Sequence, residues 1–154
     1  SEGFFPLSEN YHENGILKKT SAPAYLDQNI EIDLKTKAKK LAQNLNFYGV
    51  LAIELFELLD GSIVFNEIAP RPHNSFHWTL NGCNSSQFDI LVRTICGLPV
   101  KDVNCNGKWE MTNLIGQDVN NINLYKDQNY ILHIYGKKNV KADRKMGHYN
   151  RNMS

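Results

Sequence analysis

Glu54 and Glu67 lie in two apolar runs, VLAIELFELL and SIVFNEI, joined through Leu59-Asp60-Gly61-Ser62. Asp-Gly between such runs is among the strongest short-range signals for a two-residue hairpin turn. With the turn at Asp60-Gly61, Leu58 faces Ile63, Phe56 faces Phe65 and Glu54 faces Glu67. Strand alternation then puts Ala52, Glu54, Phe56 and Leu58 on one side, with Ile63, Phe65, Glu67, Ala69 and Arg71 beside them. Two carboxylates opposed on an otherwise apolar face repel, and half-burial drives an unpartnered carboxylate toward protonation. A divalent cation between them removes both problems, because magnesium takes one or two carboxylates and completes its coordination with phosphate oxygens. The alternative is that one glutamate is solvated at a sheet edge and the other pairs with Arg71. The register decides, since a slip of one residue undoes the facing pair.

Directly after the second run, Arg71-Pro72-His73-Asn74-Ser75-Phe76-His77-Trp78 packs an Arg, two His, an Asn and a Ser into a proline-stiffened loop. Loops at strand ends often carry function, and these donors suit a carboxylate or phosphate ligand. His73 or His77 taken alone reads more simply as a structural histidine. Further on, Tyr135 to His148 holds five basic residues against one acid. A solvated basic loop explains such a run, and the compact Arg144-Lys145 pair before Gly147 also suits a phosphate.

The elements that must position these residues follow from periodicity. Short apolar pieces around Asn14-Gly15 predict strand, turn, strand, and Pro23 breaks the chain after them. From Asp27 to Asn46 the spacing becomes helical, with Ile30, Leu34, Ala38, Leu41, Ala42 and Leu45 on one stripe and Asp27 as N-cap. Pro70 and Pro72 end the second strand of the Glu54–Glu67 hairpin. Ser85-Ser86-Gln87 opens a second helix with Phe88, Leu91, Val92, Ile95 and Cys96 inward, closed by Gly97 and Pro99. Strands are predicted at Glu110–Ile115 and Tyr130–Tyr135, followed by the basic tail.

The switch of period from two to 3.6 and back predicts an α+β fold. Residues 1–100 are expected to form an antiparallel sheet with helices at roughly 28–47 and 85–97 packed on one face. Residues 101–107 form a polar linker, and 108–154 a small β-rich domain.

Composition bounds the partners. The 154 residues are 42% hydrophobic and 21% charged, with 17 basic against 16 acidic side chains. This is globular composition, and the near-zero net charge disfavours nucleic acid, including an RNA-binding reading of 137–145. No apolar run approaches the ~20 residues that span a bilayer, and no signal-peptide pattern opens the chain. Cys83, Cys96 and Cys105 are odd in number and lack CxxC spacing. That pattern predicts reduced thiols in a cytosol-like compartment, and neither a disulfide framework nor a zinc site.

At NEIAPRPHNSFHWT, from Asn66 to Thr79, the chain resembles the N5-carboxyaminoimidazole ribonucleotide synthase family of ATP-grasp enzymes in purine biosynthesis. GVLAIELF before this run and SSQFDILVRTICGLP after it extend the resemblance. FPLSENYHENGIL near the start and HIYGKKNVKADRKMGH near the end carry it almost end to end. The resemblance implies a cytoplasmic ligase that joins ATP, bicarbonate and 5-aminoimidazole ribonucleotide through carboxyphosphate, yielding the N5-carboxy product, ADP and phosphate.

It further implies Glu54 and Glu67 as Mg2+ ligands, and His12, Asn66 and Glu67 as ATP-binding residues. Arg71, His73, Asn74 and Ser75 would line the site for bicarbonate and the aminoimidazole, with Arg71 and His73 catalytic. Arg144 and Lys145 would hold the ribonucleotide phosphate. Two positions bear on the pattern: Phe76 stands where the family usually has glycine, and Ala69 stands where many ATP-grasp relatives have Asn. Family members run to more than twice this length and act as homodimers. The chain is therefore expected to be the C-terminal part of the enzyme: half of the ATP-grasp domain plus a terminal domain, without the glycine-rich lid, and partnered by the N-terminal part. The competing expectation is a non-catalytic remnant that binds nucleotides or a partner.

Overall fold

The computed structural model describes residues 3–125 and 129–154. Its N-terminal hairpin pairs β1 (Glu9–Glu13) with β2 (Ile16–Ala22) around Asn14-Gly15, both at positive φ. A bulge between Tyr11 and His12 re-aims the strand as it approaches the turn. Helix α1 (Gln28–Asn44) follows, its first amides bonded to the Asp27 carboxylate as expected of an N-cap. Next comes the hairpin of β3 (Ala52–Glu57) and β4 (Ile63–Ala69). A 3-10 turn (Asn74–Phe76) and a one-turn helix α2 (Thr79–Gly82) then lead to α3 (Gln87–Ile95), opened by a capping box between Ser86 and Asp89. The chain ends in β5 (Trp109–Ile115), a 3-10 stretch (Gly116–Tyr125), β6 (Tyr130–Ile134) and β7 (Lys145–Asn152).

The fold is α+β and its sheets are antiparallel, but the strands are grouped differently from the expectation. One five-stranded sheet has the order β1-β2-β5-β7-β6, and β3-β4 stand apart as a two-stranded sheet. Strand β2 pairs with β5, so a single sheet runs across the polar 101–107 segment. Trp78, Trp109, Met111, Leu17 and Ala22 form the core on this sheet. Strand β7, inside the sheet, lies where the sequence reads as basic tail. Its buried positions include His148 and Asn150, so hydrophobic periodicity does not reveal it.

The helices are less buried than their stripes imply. Nothing in α1 is fully buried; Leu34, Ala38 and Leu41 line an open apolar groove of about 1640 Å³ shared with Leu55, Phe65 and Ile90. In α3, Phe88, Val92, Ile95 and Cys96 are exposed, contrary to the inward face expected, and the buried residue is Gln87.

The expectation of three reduced thiols is also overturned. Cys83 and Cys105 form a disulfide, and Cys96 is the free thiol. Backbone bonds from Asn84 to Asn104 and from Asn106 to Gly82 draw the two segments into a short antiparallel bridge, which brings the sulfurs together. The 101–107 segment is thus pinned to the end of α2. Among the described residues no helix is long and apolar enough to cross a membrane.

Candidate functional site

Glu54 faces Glu67 across β3 and β4. The route to that pairing differs from the simple hairpin. The turn is Leu59-Asp60-Gly61, closed by Leu58 N–H to Ser62 C=O (2.8 Å), with Gly61 at φ +80° where a side chain would be strained. This longer turn shifts the distal register, so Leu55 faces Phe65, Phe56 faces Val64 and Glu57 faces Ile63. A bulge between Glu54 and Leu55 on one side, opposite Asn66, restores the proximal register. The bulge also moves Phe65 and Ile63 onto the opposite face from the carboxylates. Asn66 takes the vacated neighbourhood and donates from Nδ2 to Glu54 Oε2 (3.1 Å).

The two carboxylates have unequal surroundings. The Glu54 side chain is 14% exposed, with Asn10 Nδ2 at 3.4 Å and His12 Nε2 at 3.6 Å from Oε1. Both residues come from β1, beside its bulge. Glu67 is 52% exposed, and its Oε1 lies 3.4 Å from His73 Nε2. One ligand-type atom from each of Glu54, Glu67 and His73 falls within 4.8 Å of the others. A paired carboxylate set with an imidazole at that spacing can hold a divalent cation.

The loop supplies the neighbours. His73 Nδ1 lies 2.8 Å from Ser75 Oγ, a buried hydroxyl, which fixes the ring. Burial lowers the His73 pKa from its ordinary 6.5; Glu54 and Glu67 oppose that shift, and Arg71 and Lys145 reinforce it. The Asn74 amide nitrogen is buried without a protein partner, a donor suited to a ligand oxygen. Arg71 is exposed and donates to Pro72 C=O (3.0 Å), so it does not form the carboxylate pair that the sequence left open. Phe76 turns its ring to Phe5 and Trp78, at centroid distances of 5.9 and 6.5 Å, and packs on the core.

The basic pair divides. Lys145, half-buried at the start of β7, is lowered in pKa by burial, while Glu54 acts to keep it charged. Its charge also acts on His73 and His77. Arg144 is exposed and donates to Asn139 C=O (3.2 Å); no described contact joins its guanidinium to the carboxylates.

Behind the loop lies a cluster that the sequence reading did not assemble. His148 stacks on His133 (4.6 Å, 16°) and contacts His77 (5.1 Å), and its Nδ1 lies 2.8 Å from the Tyr135 hydroxyl. Burial pushes His77 down to about 4 and His148 to about 3, and raises Tyr135 to about 12. All three are uncharged near neutrality. The period-two spacing of His133 with Tyr135 and of Met146 with His148 and Asn150 was the available signal.

Two hairpins and a loop thus gather two carboxylates, His12, His73 and Lys145 into one neighbourhood. The chain belongs to the ATP-grasp family: residues 1–88 match the ATP-grasp domain, and residues 110–153 match the phosphoribosylaminoimidazole carboxylase C-terminal domain. It is 41% identical over 148 residues to N5-carboxyaminoimidazole ribonucleotide synthase of Brucella melitensis biotype 1, covering 96% of this chain and 41% of that protein. Among solved structures it resembles N5-carboxyaminoimidazole synthetase from Staphylococcus aureus complexed with ADP (37% identity, TM-score 0.90, 99% of this chain and 42% of that one). It also resembles the Aspergillus clavatus synthase in complex with ADP and 5-aminoimidazole ribonucleotide (34%, TM-score 0.77, 94% and 41%). The chain spans about two fifths of the length of the curated relatives it matches.

Proposed function

We propose that this chain carries the metal-, phosphate- and acceptor-binding part of an ATP-dependent ligase. The reaction carboxylates 5-aminoimidazole ribonucleotide with bicarbonate and yields N5-carboxyaminoimidazole ribonucleotide, ADP and phosphate. The observation that carries this reading is the facing Glu54–Glu67 pair with His73 and Lys145 beside it. Oxygen donors from two carboxylates fit magnesium, which when bound supplies charge neutralisation on the transferred phosphoryl group. Glu54 and Glu67 would hold it, with His12 and Asn66 on the nucleotide side.

The remaining roles follow from charge and placement. Arg71 and Lys145 give fixed positive charge for anionic oxygens, and Arg144 reaches the ribonucleotide phosphate from the rim. His73 accepts the Ser75 backbone N–H at Nδ1, so the neutral ring carries its proton on Nε2 and offers that N–H to an oxygen of bicarbonate. The unpartnered Asn74 amide and Ser75 orient the same small substrate. The bare groove between α1 and the β3–β4 hairpin suits the N-terminal part of the enzyme, within a cytoplasmic homodimer. Residues 1–100 and 108–154 would then be two sequence units joined by 101–107 and sharing one sheet.

The test is a chimera in which this chain replaces the matching C-terminal part of the Bacillus subtilis relative. Bicarbonate- and aminoimidazole-dependent ADP release should fall on the order of 10³-fold in Glu67→Gln. Glu57→Gln, exposed beside the turn, should change it little. The 154-residue chain alone should show no turnover, because water reaches the phosphates without the covering half. A folded chimera that is inactive, or active regardless of Glu67→Gln, contradicts the proposal.

A further inference from the structure

Gln87, at the first turn of α3, is 1% exposed, and the hydrogen bonds of its carboxamide go to His73 and His77. Its Oε1 accepts the His73 backbone N–H (2.8 Å), and its Nε2 donates to the His73 C=O (2.8 Å). The carboxamide therefore meets both backbone polar groups of one residue, as a neighbouring strand would. The same Nε2 lies 2.9 Å from His77 Nδ1. An amide nitrogen has two hydrogens and no acceptor capacity, so the second one points at His77. His77 Nδ1 must then accept, which places that ring's proton on Nε2. The Gln87 backbone N–H in turn donates to Thr79 Oγ1 (3.1 Å), and Thr79 is itself buried on α2.

We infer that Gln87 is a positioning residue for the carboxylate–histidine site, acting through the His73 backbone and the His77 tautomer. The His73 ring reaches Glu67 from a backbone held in extended geometry (φ −115°, ψ 145°); Gln87 is the side chain that bonds both of its polar groups, and the C=O also accepts the Phe76 N–H (3.0 Å). It also ties that backbone to the His77–His148 cluster. Its meaning for catalysis rests on the ligase reading above; the clamp itself does not.

The experiment is ¹⁵N NMR of the histidine side chains in the full 154-residue chain at pH 7, with Mn²⁺ alone as the metal probe. In the wild type, His77 is expected as the Nε2–H tautomer. Gln87→Glu replaces the donor by a carboxylate oxygen, so His77 should invert to Nδ1–H. Gln87→Met removes all three contacts, so the tautomer preference should disappear and the His73 backbone signals should shift. Mn²⁺ affinity at Glu54 and Glu67 should weaken roughly tenfold in Gln87→Met, the size expected when a ligand-orienting partner is lost.

An Nδ1–H tautomer in the wild type overturns the inference without any variant. So do variants that melt earlier while His73 and His77 keep their wild-type signals, because Gln87 then only fills space. If the tautomers respond as expected but Mn²⁺ never broadens Glu54 or Glu67 in the wild type, the clamp stands and the ligase reading fails.

Discussion

Glu54 and Glu67 are chemically identical and differently placed, and the difference is measurable. Glu54 accepts from Asn10 through Oε1 and from Asn66 through Oε2, so Glu54→Gln sets an NH2 donor against one of these two donors and should cost about 1–2 kcal/mol in metal-free melts. Glu67 is half exposed, and Glu67→Gln should stay within about 0.5 kcal/mol of wild type. Equal losses at both positions would show that the Glu54 contacts do not form. Phe76 calls for a separate expectation. Its ring packs with Phe5 and Trp78, so Phe76→Gly should destabilise the chain by about 2–3 kcal/mol. Mn²⁺ binding at Glu54 and Glu67 should remain; a gain in metal affinity with no loss of stability would place the ring in the site instead. The Glu54–Glu67 pairing was legible although the turn that predicted it was one residue too short, and His73 and Lys145 stood out by residue type alone. The Asn10 contact and the Gln87 clamp were not, because long-range hydrogen bonds leave no period in the sequence.

At the scale of elements, the β3–β4 hairpin shows how a correct pairing can have another cause. Asp-Gly marked the turn, and the strand ends matched the prolines, but turn length is set by which amide closes the loop. Here Leu58 closes on Ser62, and the bulge at Asn66 compensates. The result is a carboxylate face lined by amides rather than by Phe65 and Ile63. Strand β7 was hidden for the opposite reason: its buried side chains are polar, and burial of His148 and Asn150 is sustained by hydrogen bonds and stacking rather than apolarity. The Cys83–Cys105 bridge was hidden because its residues meet only after α2 and the 101–107 segment fold together. In the oxidised chain Cys96 alone should react with a thiol reagent under native conditions. Cys83→Ser should lower stability by about 3 kcal/mol, the size expected for a loop of this length. Three reactive thiols in the native protein, with no change in melting on reduction, would contradict the bridge.

Across the whole molecule, one sheet joins the first and last strands, and the histidine cluster sits where they meet the loop. That placement gives stability a definite pH dependence. His77 and His148 have folded pKa values of about 4 and about 3, below the ordinary 6.5. Between those values the unfolded chain takes up protons that the folded chain refuses. Stability is thus fully present above pH 6.5 and is lost as pH falls toward 4 and 3, at up to about 1.4 kcal/mol per pH unit for each histidine. Denaturant melts from pH 7.5 to 4.5 should show that slope, and His148→Gln should reduce it; a flat profile would mean the rings are hydrated. The central claim concerns the carboxylates that this architecture brings together. Its most direct measurement is Mn²⁺ broadening of backbone amide signals in the 154-residue chain, competed by Mg²⁺. The account expects Glu54, Glu67 and His73 to broaden first, Mg²⁺ to restore them, and Glu67→Gln to abolish the effect while Glu57→Gln leaves it intact. Broadening centred on Glu31 and Asp33 of α1, or indifferent to Glu67→Gln, would contradict it.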